Sequence, residues 1–559
     1  MTEHLERRTI PDILAHAART WPSAEAVVDG DLRVSYARLA ADVHEVAAGL
    51  MALGTAAGDR VAVWAPNGYR WVVAALGTLQ AGGVLVPVNT RFRGEEAAYV
   101  LRRSGASVLV VDDGFLGAAY LRQLLKAAAP TGDAPPDRNE RPDRPVPGLP
   151  DLRAVVTLAP HEDEAVLSFD ELLARGRDLP VAEVVRRAAD VAPADLADIL
   201  FTSGTTGDPK GAMTSHGANV VVNTAWAEMV GLRAGDRYLL VNPLFHSFGY
   251  RAGLLAALLA GATLVPMAVF DPAEALRLVE AEQVTVFPGA PAVYTTLLEH
   301  PDRDRHDTGS VRLVVTGAAV VPLALIRRIK AELGFGTVIT AYGLTESCGT
   351  ATVCPPDAPE EKVATTSGRA IPGTELRISD PGRPGSAAPV GSPGEVLVRG
   401  VNVMQGYWQD PEATAAAVDA EGWLHTGDVG VLDADGYLTI TDRIKDMFTV
   451  GGFNVYPAEV ERLLVRHPGV ADAAVVAKPD ERLGEVGLAY VVLRSGATVA
   501  PEDVVAFCRE HLANFKVPRE VQVVDALPRT ASGKVQKFRL AAPSPHPRRD
   551  PRRPPLTGE

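Results

Sequence analysis

The sequence predicts an α/β protein, a large two-lobed body followed by a small α+β domain. Three observations carry that reading. Helical patterns alternate with short apolar runs along most of the chain. "AGGVLVPV" at 81 to 88 is echoed by "AGATLVPM" at 260 to 267, each after an apolar helix, as if two related α/β halves lay in tandem. After "DRIKDMFTVGGFNVYP" the pattern changes to helix, strand, strand, helix, strand, ending near "GKVQKFRL".

The elements follow in order. Ser35 is placed to cap a helix whose stripe is Leu39, Val43, Val46, Leu50 and Leu53; Gly54 closes it, and the strand-like "RVAVWAP" follows. The run "AGLLAALLAGATLVPMAVF", 252 to 270, is long and apolar enough to suggest a membrane span, but Gly261 and Pro266 divide it into a short helix and a strand, so it reads as core. Two stretches rich in proline and charge, about 130 to 150 and 542 to 559, read as unstructured. The expected division is a domain over 1–444, a second over 445–540, and a disordered tail over 541–559.

With 559 residues, 47% of them hydrophobic, the chain can bury a sizeable core. Its formal charge of -14 argues against a surface built for nucleic acid or anionic lipid. Cys348, Cys354 and Cys508 form neither a CxxC pair nor a framework, which suits a reducing compartment and gives no zinc signature. The N-terminus has no apolar core of the secretory kind, so the expected location is cytoplasmic.

Chemistry concentrates first in "FTSGTTGDPKGAMTSH", 201 to 216. Gly204, Gly207 and Gly211 let backbone approach an anion closely; Thr202, Ser203, Thr205 and Thr206 offer hydroxyls, and Lys210 offers charge. These are phosphate-binding parts. Pro209 before the lysine and Gly211 after it exclude a Walker A loop.

The order S-G-T-T-G-x-P-K-G resembles the phosphate loop of the adenylate-forming superfamily: acyl-CoA synthetases, aryl-CoA ligases, luciferases and peptide-synthetase adenylation domains. "TGAAVVP" (316 to 322), "AYGLTES" (341 to 347), "EGWLHTGDVG" (421 to 430), "DRIKDMFTVGGFNVYPAEVE" (442 to 461) and "LPRTASGKVQK" (527 to 537) resemble the family's later motifs in the family's order. The resemblance spans roughly residues 10 to 540. It implies a β-rich part within the large domain and a small domain that is mobile.

It also implies roles. Tyr342 and its neighbour Gly343 would form the adenine site, Glu346 would bind magnesium, and Thr345 would contact the α-phosphate. The small residues Gly317, Ala318 and Ala319 would leave room for the base and the acyl group. Asp428 would accept both ribose hydroxyls, and Arg443 would lie near ribose and phosphate. Lys445 falls at the hinge. Rotation there would present Lys534 for adenylation, neutralising charge between carboxylate and α-phosphate, and then the face of Gly451, Gly452 and Phe453 for thioester formation. His246, in "NPLFHSFGY", matches a position beside the acyl pocket and the thiol tunnel; Phe245, Phe248, Gly249, Tyr250 and Arg251 are the candidate pocket wall. Tyr250 and Arg251 would meet a polar atom on a ring-bearing acid, or Arg251 would simply pair with an acidic neighbour.

"ILFTSGTTG", "FHSFGY" and "VGGFNVYPAEVE" further resemble acyl-CoA ligases of steroid-ring degradation and their relatives in biosynthetic clusters. The resulting expectation is a carboxylic acid:CoA ligase using ATP, Mg2+ and coenzyme A on a medium-sized cyclic or aromatic acid. Two alternatives stay open: transfer to a separate carrier protein, or nitrite activation for diazotisation of an aryl amine. No nucleic-acid partner and no membrane span are expected, and the chain would be a monomer or a homodimer.

Overall fold

A computed structural model of the chain describes residues 8–128, 145–159, 166–202, 209–317, 321–380, 383, 385–443, 446, 448–450, 453–480, 482–530 and 534–540. Ser35 caps the helix Tyr36–Ala52, its hydroxyl accepting from the Arg38 amide, while Leu39, Val43, Val46 and Leu50 are buried. The strand Arg60–Trp64 follows, as the pattern requires. It lies between Val84–Pro87 and Ala106–Val111, parallel to both. These three are apolar nearly throughout because helices cover both faces of a parallel sheet.

That sheet has eight strands. Beyond Val84–Pro87 come Leu196–Thr202, then Lys210–Ser215 antiparallel to it, and at the edge the two-residue strand Gly406–Tyr407. The second copy of the repeated sequence, Thr263–Pro266, lies in a different sheet, parallel to Arg237–Leu240 on one side and Glu25–Asp29 on the other. It follows a helix that runs through a π-helical turn, Phe248–Leu255, into Ala256–Ala260 and stops at Gly261 with φ +72°. The apolar run at 252 to 270 is thus a largely buried helix and strand up to Met267, with Ala268 and Val269 exposed beyond it. Among the described residues no helix is long and apolar enough to cross a membrane.

The chain separates into two compact units, one of Met1–Arg377, Leu397–Thr426 and Leu432–Thr439, the other of Ile378–Val396, Gly427–Val431 and Ile440–Glu559. Within the second, helix Pro457–Leu464, strands Val470–Asp480 and Gly484–Leu493, helix Pro501–His511 and strand Glu520–Val523 succeed one another in the predicted order. A hairpin, Phe448–Val450 with Phe453–Val455, precedes them. Leu464, Val475, Val491 and Val504 form this unit's own core.

Two boundaries differ from the sequence reading. Residues 378–396, 427–431 and 440–444, expected within the first domain, group with the second unit. The segment 130 to 150 was expected to be unstructured throughout, yet at its end Val146 and Leu149 are buried in the core of the large sheet. Proline and charge density concealed two apolar residues spaced to reach the same core. Residues 129–144 and the tail 541–559 lie outside the described residues.

Candidate active site

The site is built where strand ends meet. Thr202 and Lys210 face each other across the antiparallel pair Leu196–Thr202 and Lys210–Ser215, and the Thr202 hydroxyl donates to the Lys210 carbonyl at 3.3 Å. The edge strand brings Tyr407 beside them, in register with Ala212. The Lys210 ammonium sits 5.2 Å from the centroid of the Tyr407 ring. On the other side the Tyr407 hydroxyl donates to Glu346 Oε1 at 2.9 Å. Burial, reinforced by the Glu346 charge, pushes the phenol well above its ordinary range, so it remains a donor throughout the neutral range. A cation and a carboxylate are thus joined through one ring. The sequence reading missed Tyr407, since its partners lie 197 and 61 residues away (407 − 210 and 407 − 346). The only local signal is "GYW" after an apolar run.

Glu346 is carried by a short turn, Thr345–Ser347, just past the strand Thr337–Tyr342. That strand pairs in parallel with Leu313–Gly317, setting Gly317 opposite Ala341, so Gly317 and Tyr342 lie at adjacent strand ends. Gly343 is required by sterics: a Cβ there would stand 2.3 Å from the Gly349 carbonyl oxygen. The Met404 amide donates to the Glu346 carbonyl at 2.9 Å, which fixes the turn against the segment leading to Tyr407.

Beneath the turn lies a buried ion pair. Arg251 Nη2 donates to Asp198 Oδ1 at 2.6 Å, with both side chains at most 1% exposed. The same nitrogen reaches Thr214 Oγ1 at 2.7 Å, and Nη1 reaches Ser247 Oγ at 3.1 Å and the Thr345 carbonyl at 3.2 Å. Asn219 Nδ2 donates to the second Asp198 oxygen at 2.7 Å. Burial pushes the Asp198 carboxyl up, against the pull of Arg251 and Asn219.

This corrects the pocket wall inferred from sequence. Arg251 and Tyr250 are fully buried, and the guanidinium is engaged inside the protein; the acidic-neighbour alternative describes Arg251. Tyr250 and Arg251 lie in a π-helical stretch, where the faces do not follow the 3.6-residue period that a linear motif suggests. Phe245 and Phe248 remain half-buried, Phe248 edge-on to Trp226 with centroids 5.6 Å apart. Gly249 is buried where a Cβ would meet the Pro243 carbonyl oxygen at 2.2 Å. His246 is half-buried, its Nδ1 accepting from the Phe248 amide at 3.2 Å, which selects the Nε2 tautomer.

In the second unit, Asp428 is buried at the centre of Leu424–Leu432, after Gly427 with φ +70°. The Gly427 amide donates to Glu395 Oε1 at 3.1 Å. Asp442 is buried and accepts from the Ala458 amide at 2.9 Å, in the first turn of Pro457–Leu464, where an anion is favoured. Lys534 closes a turn: its amide donates to Thr530 Oγ1 at 3.1 Å and its carbonyl accepts from the Thr530 amide at 2.7 Å. Nearby in sequence, Lys537 pairs with Glu461 Oε1 at 2.7 Å; burial opposes its charge, but Glu461, Asp446 and Asp442 hold the ammonium above its ordinary range. Ser203, Gly204, Thr205, Thr206, Ala318, Ala319, Lys445, Gly451 and Gly452, with the side chains of Arg443 and Phe453, lie outside the described residues.

The geometry offers a cation, a carboxylate and glycine-shaped strand ends, the equipment of a nucleotide site. The AMP-binding enzyme family profile matches residues 14–408, and that of the AMP-binding enzyme C-terminal domain matches residues 459–534. The chain belongs to the AMP-binding enzyme family. It is 49% identical over 537 residues to 3-[(3aS,4S,7aS)-7a-methyl-1,5-dioxo-octahydro-1H-inden-4-yl]propanoyl:CoA ligase of Rhodococcus jostii, covering 96% of this chain and 98% of the relative. The ligase of the same name from Mycobacterium tuberculosis is 48% identical, over 95% of this chain and 98% of its own length. Among solved structures, the anthranilate CoA ligase AuaEII in complex with anthranoyl-AMP superposes with a TM-score of 0.84 at 28% identity, covering 96% of each chain.

Proposed function

We propose that this protein is an ATP-dependent carboxylic acid:CoA ligase whose substrate is a propanoic acid carried on a compact fused-ring ketone. The observation that carries the proposal is the near full-length, 49% identity to a ligase acting on such an acid. The Lys210, Tyr407 and Glu346 arrangement supplies matching chemistry. In the first step a carboxylate oxygen bonds to the α-phosphorus of ATP, the bond to the β-phosphate oxygen breaks, and pyrophosphate leaves. In the second a CoA thiol, losing its proton, attacks the acyl carbon and AMP departs with the electron pair.

Lys210 meets polyphosphate charge, and Tyr407 orients the Glu346 carboxylate by holding one of its oxygens. The donor set fits Mg2+: this ion is typically bound through one or two carboxylates plus phosphate oxygens and water, and the Glu346 carboxylate is held in place by Tyr407. Glu346 would hold it, and the ion would neutralise phosphate charge. Asp428 binds ribose, Thr345 the α-phosphate, and Lys534 the charge between carboxylate and phosphate. His246, Phe245 and Phe248 border the acid.

The test is pyrophosphate release by the purified protein with MgATP over a panel of the fused-ring propanoic acid, anthranilate, octanoate and nitrite with an aryl amine, with CoA thioesters read by mass. The fused-ring acid is expected to give the highest kcat/KM and a CoA thioester. Adenylate without CoA thioester would shift the acceptor to a carrier protein, and turnover requiring nitrite and amine would overturn the ligase reading.

A further inference from the structure

We propose that Arg251 is a positioning residue for adenylate formation, a buried fork that locks the phosphate-side strands, the acid-side helix and the Thr345–Glu346 turn in one arrangement. The inference rests on the ligase reading above. Its basis is the set of elements that one guanidinium joins. Asp198 lies on Leu196–Thr202, four residues before Thr202, and Thr214 lies on Lys210–Ser215, four after Lys210. Ser247 and Arg251 itself belong to the segment bearing Phe245, His246 and Phe248. The Thr345 carbonyl belongs to the residue preceding Glu346.

The turn is drawn onto this fork at a second point. Gly349 has φ +85°, and a Cβ there would stand 2.6 Å from Ser247 Oγ, so only glycine lets the turn close against the Ser247–Arg251 pair. A third contact runs from Cys348 Sγ to Asn219 Oδ1 at 3.6 Å, and Asn219 in turn holds Asp198. Such a fork suits arginine and not lysine. Four acceptors in separate directions match a planar guanidinium, whereas a single ammonium can satisfy Asp198 but cannot span to Thr345 as well.

The test compares the half-reactions in Arg251→Lys, which keeps the buried charge pair and removes the contact to the turn. Adenylate formation is expected to slow by roughly tenfold to a hundredfold, since small misplacements of reacting groups cost that much. The Mg2+ concentration for half-maximal rate should rise. Conversion of a supplied acyl-adenylate to thioester should slow less than adenylate formation does, because the Thr345–Glu346 turn is assigned to the first step. Asp198→Asn/Arg251→Gln, which leaves neither charge buried alone, is measured alongside with thermal unfolding as the control for fold. A folded variant with wild-type adenylation and Mg2+ dependence, equal damage to both half-reactions, or loss of fold in both variants would overturn the inference. Absence of acid-dependent pyrophosphate release in the wild type would instead overturn the ligase reading.

Discussion

The two units hold their lysines in different ways. Lys210 stands at a strand end in an eight-stranded sheet, over a ring that is itself bonded to Glu346, with a buried ion pair beneath the turn. Lys534 sits on a turn closed by two bonds to Thr530, flanked by the ion pairs Arg529–Asp472 and Lys537–Glu461. Preorganisation needs groups that cannot relax, and a desolvated fork anchored at several points supplies that. Under the proposed function Lys534 serves one step only, and such a group is better carried on a unit of its own.

The largest effect should come from breaking the second arrangement. Lys534→Ala is expected to slow adenylate formation by a hundredfold to a thousandfold, about 3 to 4 kcal/mol, while sparing thioester formation from a supplied adenylate. Single-turnover kinetics of each half-reaction decide it. Equal loss in both would mean that the lysine serves the fold or a state common to both steps.

The body of the first unit should show its rigidity in acid. His216 is buried at the start of helix His216–Val230, its Nδ1 accepting from the Ile10 amide at 3.3 Å. Burial lowers its pKa from 6.5 to about 4, against the opposing pull of Asp195 and Asp12. The folded form therefore resists protonation more than the unfolded chain does. Its contribution to stability is fully present above pH 6.5 and is lost as pH falls toward 4, reaching about 2 kcal/mol by pH 5 and about 3 kcal/mol near pH 4. Urea midpoints across that range should fall less steeply in His216→Gln. An unchanged slope would remove the histidine from the acid response.

A smaller effect is expected from sharpening the ring contact. Tyr407→Phe keeps the surface beneath Lys210 and deletes only the bond to Glu346, a bond to a charged group worth about 1.5 to 3 kcal/mol. Adenylation should slow by roughly tenfold to a hundredfold with little change in unfolding temperature. A rate equal to wild type would show that Glu346 holds its orientation without the phenol.

Much of this was legible beforehand. The capped helix after Ser35, the division of 252 to 270 at Gly261, and the order of elements beyond 456 all rest on local signals: a hydroxyl before an apolar stripe, a glycine at positive φ, and alternation of period. Glu346 and Thr345 could be proposed because their motif is contiguous, and the steric need for Gly343 appears in the same stretch. Tyr250 was misplaced, and two readings of Arg251 stayed open, for the opposite reason. Which face of the Phe248–Leu255 turn points inward depends on strands nearly forty residues or more away, among them the one carrying Asp198.

What the sequence determined by itself is the kind of element each segment forms and the residues that could carry charge to a nucleotide, because these depend on neighbours within a turn or two. Only the tertiary structure decided that Tyr407 lies between Lys210 and Glu346 and that Arg251 serves Asp198 and the turn. Those contacts join separate segments through sheet register and burial. A guanidinium removed from water must find its acceptors wherever the fold brings them.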